Sequence, residues 1–316
     1  MSVEIVTLRD DQAGSSARIL VSYGFNCFSF VARTNDEPLE LLWSAPGFES
    51  GTLRPSHSGI PILFPFAGRL PGRQLSYDGR TYAIGEYEDS HHNAIHGYVL
   101  GRPWKVIEQG ANRVVGRLHA AEQAPELLDK WPADFQLTVE YKLQGNTLVS
   151  RFTVANPDVR PLPFGLGTHG YFRVPLGSGG SADECRVTLP AQKLWKLDQM
   201  LPTGECEPVA GGFDLRQGMR FADTELDTAF DDLALDGDHY RGSIADPHSG
   251  RALDVSFDPF FRACVLYNPP HREAICIEPY SSIPDAFRLA ARGLDPNLKI
   301  LAPGASVSAA ITMTLR

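Results

Sequence analysis

The chain has 316 residues, 43 % hydrophobic and 21 % charged, so it can bury a sizeable core. Its 29 Lys and Arg against 38 Asp and Glu give a formal charge of −9, and no Lys/Arg block interrupts that acidic balance. Nucleic acid and anionic membrane are therefore poor partners, and a neutral or modestly charged small molecule fits better.

From the N-terminus onward, Met1 to Asp11 has no basic segment leading into an apolar run, so it does not read as a secretory signal. No apolar stretch approaches a bilayer span, and the run Ile60–Ala67 is interrupted by Pro61 and Pro65. Cys27, Cys185, Cys206, Cys264 and Cys276 are widely spaced and form no C-x-x-C. They read as buried, reduced small hydrophobes of a cytoplasmic protein.

The alternating, β-branched runs Ala17–Tyr23 and Cys27–Ala32 predict strands. Asp78-Gly79 joins Gln74–Tyr77 to Arg80–Ile84 as a hairpin. Ala124–Lys130 predicts two helical turns ahead of Pro132. Phe135–Leu143 and Leu148–Ala155 predict a second hairpin through Gln144-Gly145-Asn146. The Gly/Ser cluster at Gly177–Ser181 reads as a surface loop, Asp285–Arg292 as a short helix, and Ser306–Leu315 as a strand. With 29 Gly and 24 Pro punctuating the chain, this pattern predicts an all-β protein. The expectation is one large antiparallel β-sandwich or barrel with very few short helices. No linker, repeat or low-complexity segment divides it, so residues 1–316 read as a single domain.

Several motifs carry chemistry or imitate it. Gly165-x-Gly167-x-x-Gly170 matches a dinucleotide fingerprint as a string, but Tyr171-Phe172-Arg173-Val174-Pro175 cannot start the helix that the fingerprint needs. His92 and His96 have a metal-ligand spacing only on a helix, which Asn93 and Gly97 oppose, so no metal site is expected. His91 and His92 read as solvated; His96 is balanced between a packed histidine and a ligand contact. Gly59–Arg69 is apolar and proline-rich, a stiff segment suited to presenting the Arg69 guanidinium to ligand oxygens. Asp227 lies in an acidic stretch with Asp223, Asp231 and Asp232. His169, in Gly-Thr-His-Gly-Tyr-Phe, and Glu278, in Cys-Ile-Glu-Pro-Tyr, are titratable residues in apolar, strand-like settings. A buried carboxylate needs a partner, and a His/Glu pair in a concave site can move protons near neutral pH.

Taken in order, Gly-Ile-Pro-Ile-Leu-Phe-Pro-Phe-Ala-Gly-Arg69, Ala-Ile-His96-Gly-Tyr, Gly-Thr-His169-Gly-Tyr-Phe, Leu-Asp227-Thr-Ala-Phe and Ile-Glu278-Pro resemble the aldose 1-epimerase (galactose mutarotase) family over nearly the whole chain. The resemblance implies a galactose mutarotase-like supersandwich with the sugar in an open cleft. It implies His169 as general acid and Glu278 as general base, Arg69 and His96 at the ring oxygen and neighbouring hydroxyls, and Asp227 at hydroxyls farther round the ring. It implies no cofactor, a small sugar as partner, and a monomer or homodimer.

The reaction implied is interconversion of α- and β-anomers of a hexose or hexose phosphate by ring opening, rotation and reclosure. With a Glu near about 4.3 and a His near about 6.5, an ionised Glu278 and an imidazolium His169 are the expected forms at the start. Gly97-Tyr98 stands where galactose mutarotases usually have two glycines, and Gly68 where an asparagine is common. His96-Gly97-Tyr98 with Pro103-Trp104 looks more like the hexose-6-phosphate mutarotase branch, and Arg54, Arg73, Arg102 and Arg173 are candidate phosphate partners. Tyr98, Trp104, Tyr171, Phe172 and Tyr280 are available either to a pyranose face or to the core. Two rival readings are a non-catalytic carbohydrate-binding protein and a glycoside hydrolase using Asp227 and Glu278 as its carboxylate pair.

Overall fold

The computed structural model describes residues 3–34 and 37–316. Among them, strands dominate, and the two largest sheets have nine and eight strands. The strands pair antiparallel throughout these sheets. The nine-stranded sheet has at its centre Gln136–Gln144, Thr147–Ala155 and Ser306–Leu315, side by side. Leu137, Val139, Tyr141 and Leu143 of the first, and Leu148, Phe152 and Val154 of the second, are buried, while their neighbours are exposed or half-buried. That alternation is what places one face of a sheet on a core. Asp78 and Gly79 both have positive φ, the geometry of a two-residue hairpin turn between Gln74–Tyr77 and Arg80–Ala83.

The predicted elements hold apart from their ends and one helix. Ala124–Lys130 is not a continuous helix: Ala120–Gln123 is α-helical and Pro125–Asp129 is a 3₁₀ segment. Pro125 lacks an N–H and drives the preceding residue out of the helical region; Ala124 sits at φ −152°, ψ 57°. The second predicted helix is present as Ala286–Ala291, flanked by Asp285 and Arg292. No helix among the described residues is long and apolar enough to cross a membrane.

In the eight-stranded sheet, Asp227–Leu233, Ala263–Tyr267 and Ala274–Tyr280 lie side by side, and Ala274–Tyr280 then pairs with both Gly167–Thr168 and Gly170–Arg173. Ile275 and Ile277 point inward and join one hydrophobic core with Val255, Ile244, Phe152 and Ile311 of the nine-stranded sheet. The sheets meet closely at Gly242, where a Cβ would lie 3.2 Å from Ile277 Cγ2. The alternate residues Cys276, Glu278 and Tyr280 therefore face away from that core. Ala274–Tyr280 is buried at all seven positions because both of its faces are covered.

This packing makes Ile277 a strong test of the sandwich. Ile277→Ala should lower unfolding stability by roughly 2–5 kcal/mol in urea denaturation. A loss under about 1 kcal/mol would mean that the two sheets do not close on this side chain.

Candidate active site

The outward face of the eight-stranded sheet arranges its side chains in rows. Asp227 pairs with Tyr267, Tyr267 with Cys276, and Cys276 with Tyr171, so these four residues cross four strands in one line. The next line holds Ala229, Val265 and Glu278. The register on either side of His169, Gly167 with Tyr280 and Gly170 with Ile277, sets His169 across from Glu278. His169 Nε2 lies 3.4 Å from Glu278 Oε1.

Gly167 makes room for this arrangement. A Cβ there would come within 2.5 Å of Tyr280 Cδ1, so the ring lies flat over the glycine. From that position the Tyr280 hydroxyl donates a 2.7 Å hydrogen bond to Glu278 Oε2. On its other side the His169 ring stacks on Tyr171 at 4.8 Å, with Tyr267 edge-on at 6.0 Å. The imidazole is held by packing, while its Nδ1 is buried without a hydrogen-bond partner.

A second layer comes from the proline-rich segment. Ile62–Leu63 pairs with Gly167–Thr168, and Arg69 pairs with Ile95. His96 donates its backbone N–H to Gly68 O, and Tyr98 to Phe64 O. Gly97 has φ +74° and passes so near Phe64 that a Cβ would lie 2.1 Å from its carbonyl oxygen, which only glycine permits. His96 itself sits at φ +65°, a costly conformation for a side chain of its size. The turn brings its ring edge-on to His169, 5.5 Å between centroids.

Arg69 bridges two carboxylates, with Nε 3.0 Å from Asp89 Oδ2 and Nη2 3.4 Å from Asp227 Oδ2. Asp89 is also held by N–H groups of His91 and Asn93. Burial works to raise Asp89, but these hydrogen bonds and the Arg69 guanidinium outweigh it, and the carboxyl sits below its usual range. Arg69, Asp89 and Asp227 line one cavity with His96, His169 and Glu278, of about 230 Å³, smaller than the roughly 300–1,000 Å³ of drug-sized ligand pockets. It suits a small polar ligand.

Electrostatics differ from the sequence-based expectation of an ionised Glu278 beside an imidazolium His169. Burial pushes Glu278 well above the usual carboxyl range, against the Tyr280 hydrogen bond, with the Asp227 charge adding to the rise. Burial, with the charges of His57 and Arg69, lowers His169 to about 3. His96 is likewise lowered, by burial first and then by His169 and Arg69. Desolvation thus opposes both the imidazolium and the carboxylate, and shifts the pair toward its uncharged form. Burial also raises Asp227, partly offset by Arg69.

The comparisons with known proteins agree with one another. A family model for aldose 1-epimerase matches residues 4–314. The chain belongs to the aldose 1-epimerase family. The chromosomal protein LacX of Lactococcus lactis subsp. lactis is 25 % identical over 257 residues, spanning 78 % of this chain and 79 % of LacX. A galactose mutarotase-like protein from Clostridium acetobutylicum superposes with a TM-score of 0.87 at 22 % identity, covering 99 % of this chain and 98 % of that one. The Slr1438 protein of Synechocystis sp. PCC 6803 gives 0.78 at 26 % identity over 100 % and 96 %. The antiparallel galactose mutarotase-like fold expected from the sequence is the fold of this aldose 1-epimerase-family chain.

In this family member the five residues singled out in the sequence, Arg69, His96, His169, Asp227 and Glu278, line the same cavity. His91 and His92 are exposed, with His92 beside Glu88. Of the four arginines considered for a phosphate, Arg54 alone lines the cavity. Arg73 donates to Gly85 O, Arg102 pairs with Glu86 and Glu126, and Arg173 donates to Leu42 O. Tyr171 and Tyr280 reach the cavity, whereas Tyr98, Trp104 and Phe172 belong to the core. Cys206 is exposed, unlike the other four cysteines, because its strand borders the sheet edge. Asp89 and Tyr267 were not singled out from the sequence. Asp-Ser-His-His-Asn is the local signal for Asp89, an acid folded back on its own turn.

Glu278→Gln tests the neutral pair directly. Glutamine can accept from Tyr280 and face His169, so below pH 4.5 its stability should fall within about 1 kcal/mol of wild type. A group whose folded value is raised contributes stability that is lost as pH rises, so the variant should gain on wild type above pH 4.5. A variant that instead falls behind as pH rises would mean that Glu278 is an ionised, His-paired carboxylate.

Proposed function

We propose that this chain catalyses aldose 1-epimerisation of a free hexose, with His169 and Glu278 as its acid/base pair. The observation that carries this reading is the His169 Nε2–Glu278 Oε1 separation of 3.4 Å on one wall of a small polar cavity. A sugar hydroxyl and ring oxygen lie side by side at an anomeric centre, so two adjacent proton-transfer groups match them.

Ring opening starts as the sugar enters. The C1 hydroxyl donates a hydrogen bond to Glu278 and the ring oxygen accepts one from His169, and each of these favours the charged form of its partner. The neutral pair then becomes its ion-pair tautomer by moving one proton from Glu278 to His169, at no change in proton count. Glu278 takes the O1 proton, the C1–O5 electron pair leaves with O5, and His169 protonates O5. Rotation about C1–C2 presents the other face of the aldehyde. Reclosure returns a proton to O1 from Glu278 and one from O5 to His169. Every proton is accounted for by the two residues and the sugar.

Arg69, His96 and Asp227 orient the ring. Arg69 and Asp227 make charge-assisted hydrogen bonds to hydroxyls, and neutral His96 offers an uncharged contact beside His169. Arg69 is already shared between Asp89 and Asp227. Arg54 is the one cavity arginine without a carboxylate among the described residues, so a phosphorylated hexose would have a single guanidinium to meet there. The packing of His169 against Glu278 also disfavours a hydrolase whose two carboxylates are Asp227 and Glu278.

Polarimetry or NMR exchange with glucose, galactose and glucose 6-phosphate tests the reading. Wild type should accelerate a free hexose most, and His169→Asn or Glu278→Gln should each lower kcat/KM by on the order of 10²–10⁴. Absence of acceleration by folded wild type with all three sugars would refute it, and sugar binding without turnover would identify a binding protein.

The pH profile gives a separate check. His169 gains a further proton only at about pH 3, so kcat/KM should show no acid limb near 6.5, where a free imidazole titrates. It should fall on the alkaline side, as Glu278 loses its proton. An acid limb centred near 6.5 would contradict the buried neutral histidine.

A further inference from the structure

Cys276 has no part in the reaction just described, yet it lies on the same strand face as Glu278, one row from the His169–Glu278 pair. Its Sγ, a ring nitrogen of His169 and a carboxylate oxygen of Glu278 all lie within 4.8 Å of one another, and all three residues are buried. We propose that His169, Cys276 and Glu278 form a binding site for a thiophilic divalent cation, Zn²⁺ above all, which blocks sugar turnover by occupying the acid/base pair. The effect on turnover rests on the epimerase reading; the binding itself does not.

The donor set decides the class of ion. One imidazole nitrogen, one thiolate sulfur and one carboxylate oxygen are ligands that Zn²⁺ takes, whereas Mg²⁺ and Ca²⁺ require oxygen. Tetrahedral zinc bonds of about 2.0–2.3 Å set nitrogen and sulfur about 3.6 Å apart, so the cluster closes with roughly an ångström of side-chain movement. Cys276 and Glu278 lie two residues apart on one strand, and His169 lies between the two short strands that pair with it, opposite Glu278. This is the rigid support that a metal site needs.

Two further observations point the same way. His169 Nδ1 is buried with no hydrogen-bond partner among the described residues, so the ring has a lone pair or an N–H left unused. Burial, with the charges of Glu278 and Asp227 adding to it, pushes the Cys276 thiol well above its usual range, partly offset by a hydrogen bond with Tyr171 opposite it in the register, the kind of outer partner a metal ligand has. Access is through the cavity, which His169 and Glu278 line. Binding exchanges the metal for the thiol proton of Cys276, and no electron moves. With its carboxylate and imidazole lone pairs on the metal, the pair can neither accept nor donate a proton.

Exposed Cys206 is the thiol that would confuse the measurement, so the test uses the full chain carrying Cys206→Ser, reduced and stripped of metal. Titration with Co²⁺ should give a thiolate-to-cobalt charge-transfer band saturating at one ion per chain. Cys276→Ser in that background should abolish the band and weaken Zn²⁺ binding at least tenfold by calorimetry. Glu278→Gln should keep the band and weaken Zn²⁺ binding by calorimetry. Zn²⁺ should inhibit anomer interconversion competitively with the sugar. No band, or a band that survives Cys276→Ser, overturns the proposal even if the protein is an active epimerase. A band with the expected variants in a protein inactive on every sugar would uphold the metal site and overturn the epimerase reading alone.

Discussion

The pairing of Ala274–Tyr280 with the two short strands around His169 is the constraint on which the site depends. Gly167 opposite Tyr280 and Gly170 opposite Ile277 leave His169 facing Glu278, and a slip of one residue would turn both side chains into the core. The inward set of the same strand, Ile275 and Ile277, resists that slip, because burying two isoleucines is worth several kcal/mol while burying Glu278 among them costs energy. The hydrophobic core thus fixes the register, and the register fixes the distance between acid and base. Tyr280 adds a local lock: its ring needs the missing Cβ of Gly167, and its hydroxyl holds one Glu278 oxygen.

Burial then determines protonation. Placing a carboxyl and an imidazole in contact on a nearly dry wall makes the uncharged pair the cheaper state, and the surrounding charges do not reverse it. A proton pair of this kind is poised rather than committed, since neutral and ionic tautomers differ by one short proton movement. A ligand that hydrogen-bonds both members selects the charged tautomer, so chemistry begins only when the cleft is filled. The same packing explains how a thiol comes to lie beside the pair: Cys276 occupies the next outward position of the strand and faces Tyr171.

The charged layer above this floor is built differently. Arg69 and His96 come from segments that pair through Arg69 and Ile95, tied by the close approach of Gly97 to Phe64. Asp89 and Asp227 hold Arg69 from two sides, so the guanidinium is oriented before a ligand arrives. The backbone strain at His96 belongs to this layer, where position matters more than local comfort.

Much of this was legible in the chain itself. Alternation in Phe135–Leu143, Leu148–Ala155 and Ser306–Leu315 marked antiparallel strands because a two-faced sheet demands period two, and the ordered motifs around Arg69, His96, His169, Asp227 and Glu278 marked one family and one set of candidates. Pro125, read as part of a helix, splits it, since a missing N–H acts on the turn before it. Asp89 and Tyr267 went unmarked, because an acid in a polar turn and an aromatic in a strand look like a solvated loop and a core residue until their neighbours are known. What only the tertiary structure decided is which side chains meet and in what charge state. Cys276 joins His169 and Glu278, Arg54 enters the cavity while Arg73, Arg102 and Arg173 do not, and burial shifts the expected ionised pair toward its neutral form. Periodicity and motif order are local properties of a sequence; contact across strands and the loss of water around a charge are not, and both are settled only when the sheets close.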